Sequence, residues 1–306
     1  MKVLVTGGKG MLGKHIKDKI YTGNHEGIYV GSQDYDLTLQ DQVQKMFVEI
    51  KPDAVIHAAA RVGGIQENID HPIEFLEQNI LINTNVIREA HKRGVKKLIA
   101  VSSTCVYPDV LPEAHYPLKE DCLHHGPPTP TNFGYGMAKR IMGTQIELYR
   151  EKYNVDYSTV YACNLYSEYD NFDNEKKSHF VTALLKKIQN SVDNDEKVLQ
   201  LLGTGKPLRQ FIHAADLADI IVQGLDKKFK TDFNVCDNAV WSIREMAEIA
   251  LRVLNKDLIL KFDTLKPDGQ IRKDACNNKF RMLFPTFKFK SFANGIELVY
   301  NNLVNR

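Results

Sequence analysis

No apolar run in the 306 residues approaches the roughly 20 that a bilayer-spanning helix requires, so no membrane partner is expected. Nor is there the hydrophobic core of an export signal: Met1-Lys2 runs into Val3-Leu4-Val5 and then Thr6-Gly7-Gly8, and a cytoplasmic location is expected. The five cysteines, Cys105, Cys122, Cys163, Cys236 and Cys276, are odd in number and share no CxxC or zinc-type spacing. A disulfide framework and a structural metal are therefore not expected. Lys and Arg total 40 against 38 Asp and Glu, a net charge of +2, and no basic run interleaved with aromatics stands out. Nucleic acid is not an implied partner. Internal repeats and low-complexity linkers are lacking as well, so any lobes should interleave rather than follow one another like beads.

What is present begins with a short β-branched run, Lys2 to Thr6, that ends in Gly7-Gly8-Lys9-Gly10-Met11-Leu12-Gly13 and opens a helix through about Ile20. In a strand, glycine turn and helix of this kind, glycines at 7, 10 and 13 permit a tight turn, close backbone approach to a pyrophosphate and close helix packing. The N–H groups of the helix start then face the phosphate. A second strand is expected near Gly27 to Gly31, a helix over Leu39 to Ile50, and a doubly buried strand in Ala54-Val55-Ile56-His57-Ala58-Ala59-Ala60. Small residues at 58, 59 and 60 suit a backbone lying against a cofactor. A helix from about Ile73 to Arg93, a strand from Lys97 to Ser102 and a fifth strand from Ser158 to Ala162 complete an α/β reading. It is a Rossmann-type, doubly wound parallel sheet followed by a smaller, mostly C-terminal α/β lobe. The expected division is 1–165 for the dinucleotide and 166–306 mainly for substrate, with some segments returning to the first. In that second part, helices are expected at Ser178 to Gln189, Ile243 to Leu254 and Ala293 to Asn301, and a strand at Val198 to Leu202.

Where an acid often follows the second strand in NAD-specific folds, this chain reads Gly31-Ser32-Gln33. With Lys9 in the glycine loop, Ser32 favours NADP, although the neighbouring Asp34 leaves an NAD-type ribose contact open. Loops at the carboxyl ends of the strands line the ligand crevice, which places Ser103 and Cys105 at the site. Tyr135 and Lys139, four apart on one helix face, are a candidate proton-transfer pair, because a neighbouring ammonium favours the phenolate and lowers the tyrosine pKa. His57, His71, His91, His124 and His125 show no comparable constellation and are read as structural or solvated.

Together, Thr6-Gly-x-x-Gly-x-x-Gly13, Ala58-Ala59-Ala60, Ser103 and Tyr135-x-x-x-Lys139 resemble the extended short-chain dehydrogenases/reductases. Ala59-Ala60-Arg61-Val62-Gly63-Gly64-Ile65, Cys105, Gly126-Pro127-Pro128, Asp170-Asn171-Phe172, Ser178-His179 and Lys266-Pro267-Asp268-Gly269 narrow the likeness to the GDP-L-fucose synthase branch. That resemblance implies an NADPH-dependent reductase that is also an epimerase, acting on a small-molecule GDP-sugar, and a homodimer. It implies that Cys105 and His179 exchange protons at carbons 3 and 5 of a 4-keto sugar. Tyr135 and Ser103 then serve the ketone oxygen, and Lys139 holds the nicotinamide ribose. Asn164 and Leu165 pass beside the nicotinamide. Arg209 takes the diphosphate, and Asn171, Phe180, Leu184, Lys187, Lys266 and Arg272 reach the sugar or nucleotide. The chain departs from the branch at Ser167-Glu168-Tyr169, where Gly-Pro-His is usual, and at Leu202, where an aromatic is usual. Two alternatives stay open at this point: a reductase of another GDP-keto sugar such as a heptose, with or without epimerisation, and a non-catalytic NADP-sensing protein.

Overall fold

A computed structural model describes residues 1–172, 178–266 and 268–305. Pro267 of the Lys266-Pro267-Asp268-Gly269 motif lies outside the described residues. The first half alternates strand and helix: β1 (Lys2–Thr6), α1 (Met11–Tyr21), β2 (Glu26–Val30), α2 (Gln40–Ile50), β3 (Ala54–His57), α3 (Ile65–Asp70), α4 (Pro72–Lys92), β4 (Lys97–Ser103), α5 (Phe133–Tyr153) and β5 (Asp156–Ala162). Next come β6 (Asn164–Tyr166), α6 (Phe180–Asp193), β7 (Val198–Leu202), β8 (Leu208–Arg209), β9 (Phe211–His213), α7 (Ala214–Gly224) and β10 (Phe233–Val235). The chain closes with β11 (Trp241–Ser242), α8 (Ile243–Val253), β12 (Ile259–Asp263), α9 (Asn278–Leu283) and α10 (Phe292–Val304).

Six strands form one sheet in the order β10-β5-β4-β3-β1-β2, and every pairing within it is parallel. A parallel sheet needs helices on both faces, so its central strands read as unbroken apolar runs. Val3, Leu4, Val5, Ala54, Val55 and Ile56 are fully buried, and successive residues feed two different cores. One core lies under α1 and α7, the other under α2, α4 and α5. A third gathers α6, α8 and α10 around Leu185, Leu199 and Ile296 in the second half of the chain. No helix among the described residues is long and apolar enough to cross a membrane.

The expected doubly buried strand over 54–60 stops at His57. The Ala58 N–H still donates to the Thr6 carbonyl at 3.1 Å, after which the strand ends, so the three alanines form the loop that follows it. The sheet itself is completed by β10, from beyond residue 166, whose Phe233 and Val235 are fully buried.

Candidate active site

The glycine turn is shaped by contacts that a side chain could not tolerate. Gly7 has φ +71°, and a Cβ there would stand 2.8 Å from the Ala58 carbonyl carbon and the Ala59 nitrogen. Gly7 therefore demands both the left-handed backbone and the close approach of the Ala58-Ala59 segment. A Cβ on Gly13 would collide with the backbone of Gly7 and Gly8, so Gly13 lets α1 sit tightly on the turn. The Gly10 N–H donates to the Gly7 carbonyl at 3.0 Å, leaving the N–H groups of Met11, Leu12 and Gly13 at the start of α1, where a helix presents unpaired donors. Lys9 pairs with Asp34 at 2.6 Å, while Asp34 also accepts from the Gly31 N–H at 2.7 Å. These bonds hold the Asp34 carboxyl below its usual range, and the Lys9 side chain lies against Gly31, which the exposed Ser32 follows. The two residues that argue for different cofactors are thus tied to each other.

Strand β4 ends at Ser103, and the single turn that follows carries Cys105. The Cys105 N–H donates to Ser103 Oγ at 3.2 Å. Helix α5 starts directly over this turn, since a Cβ on Gly136 would lie 2.7 Å from the Cys105 carbonyl. That packing brings Tyr135 and Cys105 together, and the sulfur's charge acts on the phenol. Burial raises the thiol pKa, but the Lys273 ammonium, whose Nζ lies 2.9 Å from Cys105 Sγ, and hydrogen bonds with Ser103 and Asn132 together outweigh it. The net effect places the Cys105 thiol below its ordinary value.

On the opposite wall, His179 precedes α6, with Nδ1 3.0 Å from Asp170 Oδ1. The buried Asp170 carboxylate also accepts from Thr182 Oγ1. Burial pulls the His179 pKa down, and the Asp170 hydrogen bond and charge, with a contribution from Cys105, carry it above the ordinary value. An imidazole held at Nδ1 by a carboxylate offers Nε2 for proton transfer. Arg209 is also within electrostatic reach of Cys105 and of Asp268, while its guanidinium donates to the Leu208 carbonyl at 2.8 Å. Cys105, His179, Tyr135, Arg209 and Lys273 therefore share one site.

The Tyr135–Lys139 pair differs from expectation. Burial and the Cys105 charge raise the phenol pKa instead of lowering it. Lys139 is 2% exposed, donates to the Val101 carbonyl at 2.9 Å, and is pushed down by burial to about 7. With a pKa of about 7 this lysine is only partly charged near neutrality, so it does little to favour the phenolate. Behind it, His57 is fully buried between Thr6 Oγ1 at 2.7 Å and Asn83 Oδ1 at 3.0 Å, and burial pushes it to about 3. It is a neutral structural residue, as read from the sequence.

Two substrate contacts expected from the sequence are redirected. Leu184 is 2% exposed and packs in the core of the second half, where it lies away from solvent. Arg272 is committed to Asp274 at 2.6 Å, to Glu113 and to the Tyr116 ring; its neighbour Lys273 enters the site instead. Among the others, Lys187 Nζ donates to the Gln200 carbonyl at 3.2 Å on a cleft of about 560 Å³ lined by Asn190, Glu196 and Gln200. Phe180 meets Phe211 at 5.9 Å between ring centres, and Lys266 is exposed on the turn after β12. Asn171 follows Asp170 on the approach to His179. In β6, which pairs with β9, the Asn164 amide donates to the Gln210 carbonyl at 2.9 Å, with Leu165 next to it. Asp170, Asn132 and Lys273 were not singled out from sequence; the signal for Asp170 was its motif, and Lys273 offered only its place beside Arg272.

The departure at 167–169 docks onto the cofactor helix. Ser167 Oγ lies 2.7 Å from His15 Nε2, and the Tyr169 ring packs on His15 at 4.7 Å and under Lys14 at 5.1 Å. Glu168 Oε2 stands 3.0 Å from His213 Nε2 and 3.8 Å from His15 Nε2. Burial raises the Glu168 pKa, but the His213 hydrogen bond, a backbone hydrogen bond at Glu168 and the His213 and His15 charges together more than offset this and hold it at about 2. The ligand atoms of His15, Glu168 and His213 lie within 4.8 Å of one another, a grouping that invites a metal. The His213 tautomer opposes that reading. Its Nδ1 accepts from the Ala215 N–H at 3.2 Å, so the ring proton belongs on Nε2, the nitrogen a metal would need bare. The cluster is a carboxylate bridging two imidazoles, and it ties α1 to the loop leaving β6.

Residues 3–236 match the NAD dependent epimerase/dehydratase family. The GDP-L-fucose synthase of Dictyostelium discoideum is 35% identical over 96% of this chain and 92% of its own length. Among solved structures, a GDP-L-fucose synthetase from Naegleria fowleri bound to NADP superposes with a TM-score of 0.90 at 32% identity, covering 99% of this chain and 92% of that one. A GDP-6-OMe-4-keto-L-xylo-heptose reductase from C. jejuni superposes at 0.89 with 26% identity, covering 99% and 97%. The glycine turn, the Tyr135–Lys139 helix and this end-to-end likeness lead to one conclusion: the chain belongs to the NAD dependent epimerase/dehydratase family, on its GDP-L-fucose synthase branch.

Proposed function

We propose that this protein converts GDP-4-keto-6-deoxy-D-mannose to GDP-L-fucose, epimerising carbons 3 and 5 and then reducing carbon 4 with NADPH. The observation that carries the reading is the meeting of Cys105, its sulfur paired with Lys273, and the Asp170-held His179 at the site of Tyr135 and Ser103. A 4-ketone makes the protons on its neighbouring carbons acidic, because the electrons left behind are stabilised as an enolate. One group removes such a proton and another returns it from the opposite face. Ser103 and Tyr135 then hydrogen bond the enolate oxygen, and later the developing alkoxide.

NADPH supplies the hydride when bound. The turn over Gly7, Gly10 and Gly13 and the N–H groups of Met11 and Leu12 would hold its pyrophosphate, Lys9 and Ser32 its 2′-phosphate, and Lys139 its nicotinamide ribose. The Ala58-Ala59-Ala60 loop, Asn164 and Leu165 would flank it. The fit rests on the tight turn that Gly7 and Gly13 permit, since a Cβ at either would strike the Ala58-Ala59 backbone or that of Gly7 and Gly8 and prevent the turn from closing. Arg209, together with Asn171, Phe180, Lys187 and Lys266, would take the GDP-sugar. In this reading residues 1–165 bind the dinucleotide, and 166–306 mainly the substrate. A homodimer fits too, since α4 and α5 expose Ile73, Leu81, Phe133 and Leu148 on the flank of the sheet, and a cytoplasmic location belongs to the same reading.

The test is exchange of substrate protons with deuterated solvent. The parent protein should label carbons 3 and 5, and Cys105→Ser should lose the labelling by about 10²-fold or more. Equal labelling by both proteins refutes the epimerase part.

A further inference from the structure

We propose that Lys273 is a positioning residue for epimerisation: its ammonium, seated on the Cys105 sulfur, holds that sulfur as a thiolate in the site it shares with His179. The inference rests on the epimerase reading above and adds to it the group that sets the charge of Cys105.

The geometry is specific. Lys273 Nζ lies 2.9 Å from Cys105 Sγ across 168 residues of sequence, and Lys273 is 8% exposed. Among the described residues, no carboxylate pairs with this ammonium within ion-pair distance. A buried ammonium without a carboxylate is costly unless another anion accompanies it, and the thiolate is the anion at hand. Its position is built from both sides. Arg272 and Asp274 are joined by two hydrogen bonds, at 2.6 and 3.0 Å, the Leu118 N–H donates to the Asp274 carbonyl at 2.9 Å, and the Ala275 N–H donates to Gln210 Oε1 at 2.8 Å. The backbone on each side of Lys273 is therefore pinned, and the lysine reaches the sulfur without freedom to wander.

Other groups also face Cys105. Ser103 and Asn132 hydrogen bond the sulfur, and Tyr135, His179 and Arg209 feel its charge. Of the cations, Arg209 spends a guanidinium N–H on the Leu208 carbonyl, and His179 is held by Asp170. Among the cations of the described residues, Lys273 is the one that hydrogen bonds the sulfur.

The proton balance is complete. The thiolate removes the proton from carbon 3 or 5, forming S–H as C–H breaks and leaving the electron pair in the enolate. His179 as imidazolium delivers its Nε2 proton to the opposite face of that carbon and becomes neutral. One proton passed through water from the thiol to the imidazole restores both, and the Lys273 charge drives that return by favouring the thiolate.

The test is alkylation of the full-length protein by iodoacetamide from about pH 5.5 to 9.5, with the Cys105 and Cys276 peptides quantified separately by mass spectrometry. The parent should show a Cys105 midpoint at least about one pH unit below the ~8.5 of an ordinary thiol. Lys273→Met should raise it by about a unit or more, slowing alkylation near neutrality by roughly tenfold, and Lys273→Arg should retain most of the depression. An unchanged Cys276 profile verifies that each variant is folded. A parent midpoint at or above ~8.5 overturns the proposal without any variant, and so does a Lys273→Met midpoint equal to the parent's. No substrate is needed, so the two readings separate. A depressed midpoint in a protein that exchanges no sugar protons removes the epimerase function and keeps the Lys273–Cys105 pair, and the reverse pattern does the opposite.

Discussion

Asp170 Oδ1 lies 3.0 Å from His179 Nδ1, joining a carboxylate side chain that is 5% exposed to an imidazole that is 46% exposed. The carboxylate is anchored from behind by Thr182, so the ring has one orientation and one nitrogen left for chemistry. A raised histidine pKa contributes stability that is complete below about 6.5 and lost as pH rises through the folded value. The lowered Asp170 pKa contributes stability that is complete above about 3.9 and lost as pH falls through its folded value.

Asp170→Asn should therefore weaken the acid form of His179. The alkaline limb of the epimerisation rate should move to lower pH, and exchange near pH 7.5 should drop by about 10²-fold. A pH profile of solvent-deuterium incorporation checks this; an unmoved alkaline limb would show that Asp170 does not set the histidine's charge.

Tyr135→Phe should separate the two reactions. The phenol, kept protonated by burial, is suited to donate, and its loss should cut NADPH oxidation by about 10² to 10⁴-fold. Deuterium exchange at carbons 3 and 5 should survive at a larger fraction of the parent rate, because Ser103 still reaches the enolate oxygen. Stopped-flow absorbance of NADPH and NMR of the sugar read the two steps independently.

Lys139→Met should make the protein more stable while stopping reduction. The lysine pKa is lowered by burial to about 7, so its stability penalty is full below that pH and disappears as pH rises toward ~10.4. The gain should thus be on the order of a few kcal/mol near pH 6, seen in thermal melts, and should shrink toward pH 9. A pH-independent difference would contradict the burial argument.

Glu168→Gln tests the clamp between the cofactor helix and the loop after β6. Glu168, held at about 2, stabilises the fold fully above its unfolded value of about 4.3, and the contribution fades as pH falls toward 2. Removing the charge beside His213 and His15 should cost about 1 to 3 kcal/mol in urea unfolding near neutral pH. NADPH affinity should fall with it, because His15 sits on α1. If stability drops and NADPH affinity is unchanged, the clamp does not bear on the cofactor.

How far the sequence could be read depended on distance along the chain. The glycine turn, the apolar run of β3 and the Tyr135–Lys139 spacing are local patterns, and each appears in the structure where it was expected. Boundaries shifted where tertiary bonding ended an element, as at His57. The three-residue β10 gave little signal, because a strand that short is defined by its partner β5. Lys273 was missed for a stronger reason. Choosing between it and Arg272 needs the register of the 272–276 segment against Leu118 and Gln210, a relation invisible in one dimension. The Tyr135 pKa reversed direction because spacing on a helix says nothing about desolvation.

The most direct test is one incubation in deuterated water with GDP-4-keto-6-deoxy-D-mannose and NADPH, with NADH in parallel, and identification of the product by NMR. The account predicts GDP-L-fucose deuterated at carbons 3 and 5, formed faster with NADPH. A 4-reduced sugar with unaltered, undeuterated carbons 3 and 5, or no consumption of the keto sugar, would contradict it.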